Sequence, residues 1–187
     1  MKTPDSHQIL SATSARGSLA LAKDERIKLA KVLLQTSKLK MAEVAVHAGF
    51  MNRNELDKAL KTSFKRSGRD LRRQSQARVD AESIAQITSI TLILPVAQPY
   101  DFDWVFNYLE GRALTGIETI FKTPEGQVYQ RRISQADQSD AWVLVRRKDS
   151  TLHVQLPLAA EPVYLLLGRV RRLFDLDADG AGLHKHL

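Results

Sequence analysis

Arg53, Asn54, Asp57 and Lys58 fall in one short stretch of the chain. Arg and Asn form paired hydrogen bonds with guanine and adenine edges, so this group is suited to reading bases in a DNA groove. Lys61, Lys65, Arg66, Arg69 and Arg72 follow, with Arg73 beside them. Cations of this kind suit phosphates, which set register without reading sequence. The charge distribution agrees. The 187-residue chain carries a net charge of +7, yet residues 1–79 hold 17 Lys and Arg against 7 Asp and Glu, a net +10, while residues 80–187 hold 11 against 14, a net −3. A basic half of this size fits a polyanion, whose counterions are released on binding.

Other chemistry is excluded or discounted on similar grounds. The chain has no cysteine, so disulfides, thiolate metal sites and cysteine nucleophiles are absent. Asp175-x-Asp177-x-Asp179-Gly180 copies the opening of an EF-hand loop, but its twelfth position is His186 rather than a bidentate glutamate. His184 and His186 belong to a solvated tail, and His47 reads as a helix-end contact rather than a ligand. Trp104 and Trp142 read as core or sheet packing rather than base-stacking platforms. No serine has a histidine and an aspartate in an arrangement that spacing supports. No metal or cofactor is expected. No apolar run approaches the roughly 18 residues of a membrane span, and the first twenty residues lack the apolar core of a secretory signal. A soluble, cytoplasmic protein with no membrane partner is expected.

The base-reading group must be held on a helix. Ile27, Ala30 and Leu34, with Leu29, Val32 and Leu33, predict a helix over 23–36. Met41, Val44, Ala45 and Ala48 predict a second, shorter helix ending at Gly49, a residue suited to a left-handed terminus. Phe50 follows as an apolar plug, Asn52 or Asn54 can cap the next helix, and Leu56, Ala59, Leu60 and Phe64 form its buried stripe. Arg53, Asn54, Asp57, Lys58 and Lys61 then face outward. A short helix turning sharply into a longer one is the helix-turn-helix arrangement, with its second helix in the major groove. The competing possibility is a three-helix bundle that binds protein.

These residues carry a family resemblance. Arg26-Ile27-x-x-Ala30-x-x-Leu33-Leu34, Met41-Ala42-Glu43-Val44-Ala45-x-x-Ala48-Gly49-Phe50 and Asn54-x-Leu56-x-x-Ala59-Leu60-x-x-x-Phe64 resemble the second helix-turn-helix subunit of AraC-type transcription regulators. The resemblance implies that Arg53, Asn54, Asp57 and Lys58 read bases. It departs from the family after the recognition helix, where Arg66-Ser67-Gly68-Arg69-Asp70-Leu71-Arg72 lacks the usual proline and aromatic. The residues before Lys23 are also too few for the tandem first subunit. Half of a reader should bind modestly, so dimerisation, a further segment or the second half of the chain must strengthen it.

Between Arg72 and Ser89 the sequence is polar and the charge changes sign, which places a boundary there. Beyond it, 90–96 reads as a strand, Asp101 or Asp103 opens a helix carrying Phe106 and Leu109, and four strands follow at 116–121, 127–133, 141–147 and 152–158. Pro124-Glu125-Gly126 is a turn, and a last helix runs from Glu161 or Pro162 to about Phe174.

This half resembles the N-terminal domain of AlkA-type alkylated-base DNA glycosylases. The resemblance rests on Pro99-Tyr100-Asp101-x-x-Trp104 with Leu109 and Arg112-Ala113, on Gly116-Ile117-Glu118, on Tyr129-x-Arg131, and on the run Val170 to Ala178. It implies a small antiparallel sheet with two helices on one face, TBP-like, in an α+β chain whose all-α helix-turn-helix domain comes first. In bifunctional relatives an AraC-type reader precedes such a domain, as here. The expected organisation is an N-terminal extension (1–22), the reader (23–73), a linker (74–89), the sheet domain (90–178) and a tail (179–187).

The glycosylase chemistry of that family lies in a downstream helical domain that this sequence does not contain. The expectation is therefore a non-enzymatic, AraC-type regulator of the alkylation-damage response that binds double-stranded DNA, with a homodimer as a candidate assembly. The alternatives are the non-catalytic N-terminal portion of a methyladenine DNA glycosylase acting in base excision repair, or a sheet domain that binds a small ligand or a protein and modulates the reader.

Overall fold

The computed structural model describes residues 8–9, 21–76, 88–134, 140–158 and 161–178. Four helices come first: α1 (Lys23–Thr36), α2 (Met41–His47), α3 (Arg53–Phe64) and α4 (Gly68–Gln76). The apolar face of α1, with Ile27, Ala30, Leu33 and Leu34 all buried, is the post around which the other three pack. The α2–α3 turn closes through backbone geometry. Gly49 takes a φ of +83°, its N–H donates to Val46 O at 3.1 Å, and Phe50 N–H donates to Ala45 O at 2.8 Å. These two bonds form a Schellman end, which satisfies the last carbonyls of α2 and reverses the chain. Asn52 rather than Asn54 caps α3, its Oδ1 accepting from Glu55 N at 2.9 Å.

Helix α4 differs from expectation, which placed no helix after α3. Its signal is a reciprocal cap: Ser67 Oγ accepts from Asp70 N at 3.2 Å, and Asp70 Oδ2 accepts from Ser67 N at 3.2 Å and from Ser67 Oγ at 2.6 Å. Its Leu71 enters the core. One buried leucine among charges produces almost no periodic pattern. Helix and strand thus encroach on the stretch read as a linker: α4 reaches Gln76, β-structure resumes at Ser89, and 77–87 lie outside the described residues.

The second half is a mixed layer of helix and antiparallel sheet. Strands β2 (Ser89–Pro95), β3 (Glu118–Thr123), β4 (Gly126–Ser134), β5 (Asp140–Lys148) and β6 (Thr151–Pro157) pair antiparallel, and the short β1 (Gln8–Ile9) adds to β2 in parallel, giving the order β1-β2-β6-β5-β4-β3. Helices α5 (Phe102–Arg112) and α6 (Val163–Leu173) complete it in the order the sequence predicts. Asp101 caps α5, accepting from Trp104 N at 2.9 Å. Both helices lie on one face. Phe174, just past α6, meets Phe106 of α5 at 5.5 Å and Tyr129 of the sheet at 5.6 Å between ring centroids. Along β2 and β6 every second residue is buried beneath them, as one covered face requires.

At the sheet edge, Glu118 binds three donors: Tyr129 Oη at 2.7 Å, Arg131 at 2.5 Å and Leu114 N at 3.2 Å. Burial alone would push its carboxyl up, but these bonds outweigh burial and hold it below the usual carboxylate range.

The Gly49 turn yields a stability prediction. A Cβ there would sit 3.0 Å from Arg26 Cδ and 3.0 Å from Tyr164 Cγ, at a φ that L residues rarely adopt. Gly49→Ala should lower unfolding free energy by about 1–2 kcal/mol, the cost of a left-handed residue, or more if Tyr164 cannot shift. A lower urea midpoint at an unchanged m-value would show it.

Candidate nucleic-acid interface

Burial of Leu56, Ala59 and Leu60 against the other helices turns the opposite side of α3 to solvent. Arg53, Asn54, Lys58 and Lys61 are all exposed there, and Lys65, Arg66 and Arg69 continue the exposed cations through the α3–α4 turn. Lys65 itself is left-handed, at a φ of 55°, and ends α3. Arg53, Asn54, Lys58 and Lys61 therefore share the exposed side of α3, and the predicted set carries two qualifications. Asp57 is half-buried, and its carboxylate lies 3.5 Å from Arg53 in an i,i+4 pair. An exposed pair of this kind is worth little, so Arg53 can leave it for a base edge. Arg72 is half-buried and donates to the carbonyl of Leu39, so its guanidinium braces the entrance to α2.

Several residues near this surface went unremarked in the sequence. Lys38 and Lys40 are exposed immediately before α2, and a Lys-x-Lys ahead of a helix is the signal that points to them. Met51, 90% exposed, and Val46, 53% exposed, flank the turn as apolar projections. Arg26 donates to Gly49 O at 2.9 Å and lies 5.6 Å from the Phe50 ring, so it holds the turn rather than facing solvent. His47 ends α2 half-buried, where burial pushes its imidazole below the ordinary value.

The remaining discounted motifs resolve differently. Asp177 pairs with Arg171, so this carboxylate of the EF-hand-like run is engaged in the fold. Asp179, His184 and His186 lie outside the described residues. Of the core-or-sheet-packing reading of the tryptophans, the core part fails, since Trp104 is 61% and Trp142 40% exposed, while Trp142 does lie on the sheet, in β5. Trp104 stacks on Tyr108 one turn along α5, at 5.2 Å between centroids. No described helix is long and apolar enough to cross a membrane.

A buried ion pair fixes the surface relative to the sheet. Arg171 of α6 lies 3.1 Å from Glu25 of α1 and also pairs with Asp177, with side-chain exposures of 6% for Arg171 and 4% for Glu25. Two carboxylates thus face one cation. Burial pushes the Glu25 carboxyl above its ordinary value, against the pull of Arg171.

Comparison with known proteins adds to this geometry. Residues 91–187 match the family described as AlkA N-terminal domain. Two relatives from strains of Mycobacterium tuberculosis, each named "Probable bifunctional transcriptional activator/DNA repair enzyme AlkA", are 30% identical over 175 residues, covering 92% of this chain and 34% of their own length. The chain spans about a third of the length of these relatives. A match of 175 residues cannot be contained in residues 91–187, so the similarity runs through the helical half as well. No solved structure gives a significant match.

The ion pair carries its own predictions. Arg171→Leu leaves the buried Glu25 and the half-buried Asp177 without their cation and should cost about 3–5 kcal/mol. Glu25→Gln should cost less. Because the unfolded chain ionises Glu25 at lower pH than the folded one, the fold prefers the protonated form, and the wild type should lose stability relative to Glu25→Gln as pH rises through the carboxylate range. Urea titrations of both chains at several pH values measure this difference, and a gap that widens in the opposite direction would refute the assignment.

Proposed function

Since the chain belongs to the AlkA N-terminal domain family, we propose that it is a DNA-binding regulator of the alkylation-damage response, in which α2, the Gly49 turn and α3 act as an AraC-type helix-turn-helix. The observation that carries this reading is the exposed side of α3. Arg53, Asn54 and Lys58 stand at its start, where a recognition helix enters the major groove, while Leu56 and Leu60 anchor it from behind. Lys61, Lys65, Arg66 and Arg69 extend the same side as phosphate contacts. Lys38 and Lys40 add charge where the first helix of such a unit crosses the backbone. The reader proper is 23–73 and the sheet domain 90–178, the latter non-catalytic. Double-stranded DNA is the partner, met in the cytoplasm, and a homodimer would supply a second half-reader.

The second reading, the non-catalytic N-terminal portion of a DNA glycosylase, is favoured by one observation. The relatives whose name includes a DNA repair enzyme are about three times longer than the stretch they share with this chain.

Fluorescence anisotropy with duplex DNA at two salt concentrations tests the proposal. Affinity should fall steeply with salt, as phosphate contacts release counterions. Arg53→Ala with Lys58→Ala should cost about 1–3 kcal/mol for each base-edge hydrogen-bonded pair removed and flatten sequence preference, whereas Lys61→Ala or Lys65→Ala should weaken all sequences alike and reduce the salt slope by about one. Binding indifferent to the Arg53 and Lys58 pair would sink the base-reading assignment.

A further inference from the structure

Helices α5 and α6 cover one face of the sheet, so the alternate residues of each strand form a second face on the opposite side. The helical half docks on α6 through Glu25 and Arg171, on the covered side. Among the described residues, no helix lies over the second face.

Its side chains form a pattern. Trp142 of β5 pairs directly with Arg132 of β4, while Phe121 of β3 lies in the row of Arg146, and Lys148 extends the same side of β5. Trp142 is 40% and Phe121 38% exposed, and Arg132, Arg146 and Lys148 are exposed too. Asp140 is the acidic strand residue on this face among the described residues, 3.7 Å from Arg132 in a solvent-exposed pair that a phosphate can displace. Two aromatic side chains and three cations therefore share a surface whose reverse is the hydrophobic core.

We propose that this open face binds single-stranded DNA, with bases stacking on Trp142 and Phe121 and phosphates held by Arg132, Arg146 and Lys148. An exposed ring can stack only on a base whose face is free, which duplex DNA does not offer. Stacking platforms interleaved with cations along a groove or sheet are the recurring solution for single strands. Two strands across and four residues along the sheet separate the aromatics by about 16 Å at ordinary sheet spacing, a gap that a few extended nucleotides span. Charge complementarity selects a polyanion over a second copy of this chain, because a symmetric dimer through this face would bring like charges together. The choice of DNA over RNA rests on the duplex-reading function proposed above.

A labelled oligo-dT titrated against the intact chain by anisotropy tests this, with a duplex arm run in parallel. Trp142→Ala combined with Arg146→Ala should weaken oligo-dT binding at least about tenfold and leave duplex affinity unchanged. Arg53→Ala with Lys58→Ala should do the reverse, so failure of either surface can be told from failure of the other. Arg146→Glu alone, at an exposed position, should act in the same direction as the double variant. In a Trp104→Phe background, oligo-dT should quench the remaining Trp142 emission. Absence of oligo-dT binding at low salt, or affinity unchanged in the Trp142 and Arg146 variants, would overturn the proposal. So would loss of oligo-dT binding through Arg53 and Lys58, or tighter binding of the ribo-oligonucleotide.

Discussion

The guanidinium of Arg171 sits almost wholly out of solvent, between a carboxylate from the first helix and one just beyond its own. Removing a cation from water is costly unless it is paired, and here Asp177 accepts from the guanidinium while Glu25 supplies the opposing charge from the other side. Asp177 is a local neighbour of Arg171, whereas Glu25 belongs to the helical half. The pairing therefore does more than neutralise charge. It sets where α1 lies on α6, and α1 is the post on which α2, α3 and α4 are hung. The close approach of Gly49 to Tyr164 adds a second point of contact, so the turn ahead of α3 rests on the same helix that covers the sheet.

The arginines of the helical half divide into two populations. Arg26 and Arg72 are turned inward to backbone carbonyls, of Gly49 and Leu39, and hold the two ends of α2 in place. Among the described residues no backbone carbonyl accepts from Arg53, Arg66 or Arg69, which stand exposed, as do Lys58, Lys61 and Lys65. A basic composition thus serves two purposes, scaffold and surface, and on α3 the exposed cations lie opposite the buried Leu56 and Leu60.

The sheet shows the same economy of sides. Tyr129, Phe106 and Phe174 interlock beneath the helices, and the Glu118 cluster ties β3 to β4 at the edge. On the other side the strands carry Trp142, Arg132 and Arg146, residues that a core would not accept unpaired. Among the described residues, a single sheet therefore separates an apolar interior from a cationic, aromatic exterior.

Much of this was legible in the sequence. Periodicity located α1, α2 and α3, alternation located the strands, Gly49 marked the turn, and the two aspartates ahead of α5 narrowed its cap to one of two residues. These are local effects, in which side-chain spacing and backbone freedom act within a few residues. Helix α4 escaped because its one buried leucine lies among charges, although the Ser67–Asp70 cap was present to be read. Three features were out of reach. That Arg72 braces a loop, that Glu25 meets Arg171 from the far end of the chain, and that Trp142 lies on the sheet face opposite the helices all depend on which surfaces come together as the chain folds. Residue types state what a side chain can bond to, but burial and distance decide what it does bond to, and only the tertiary structure assigns those.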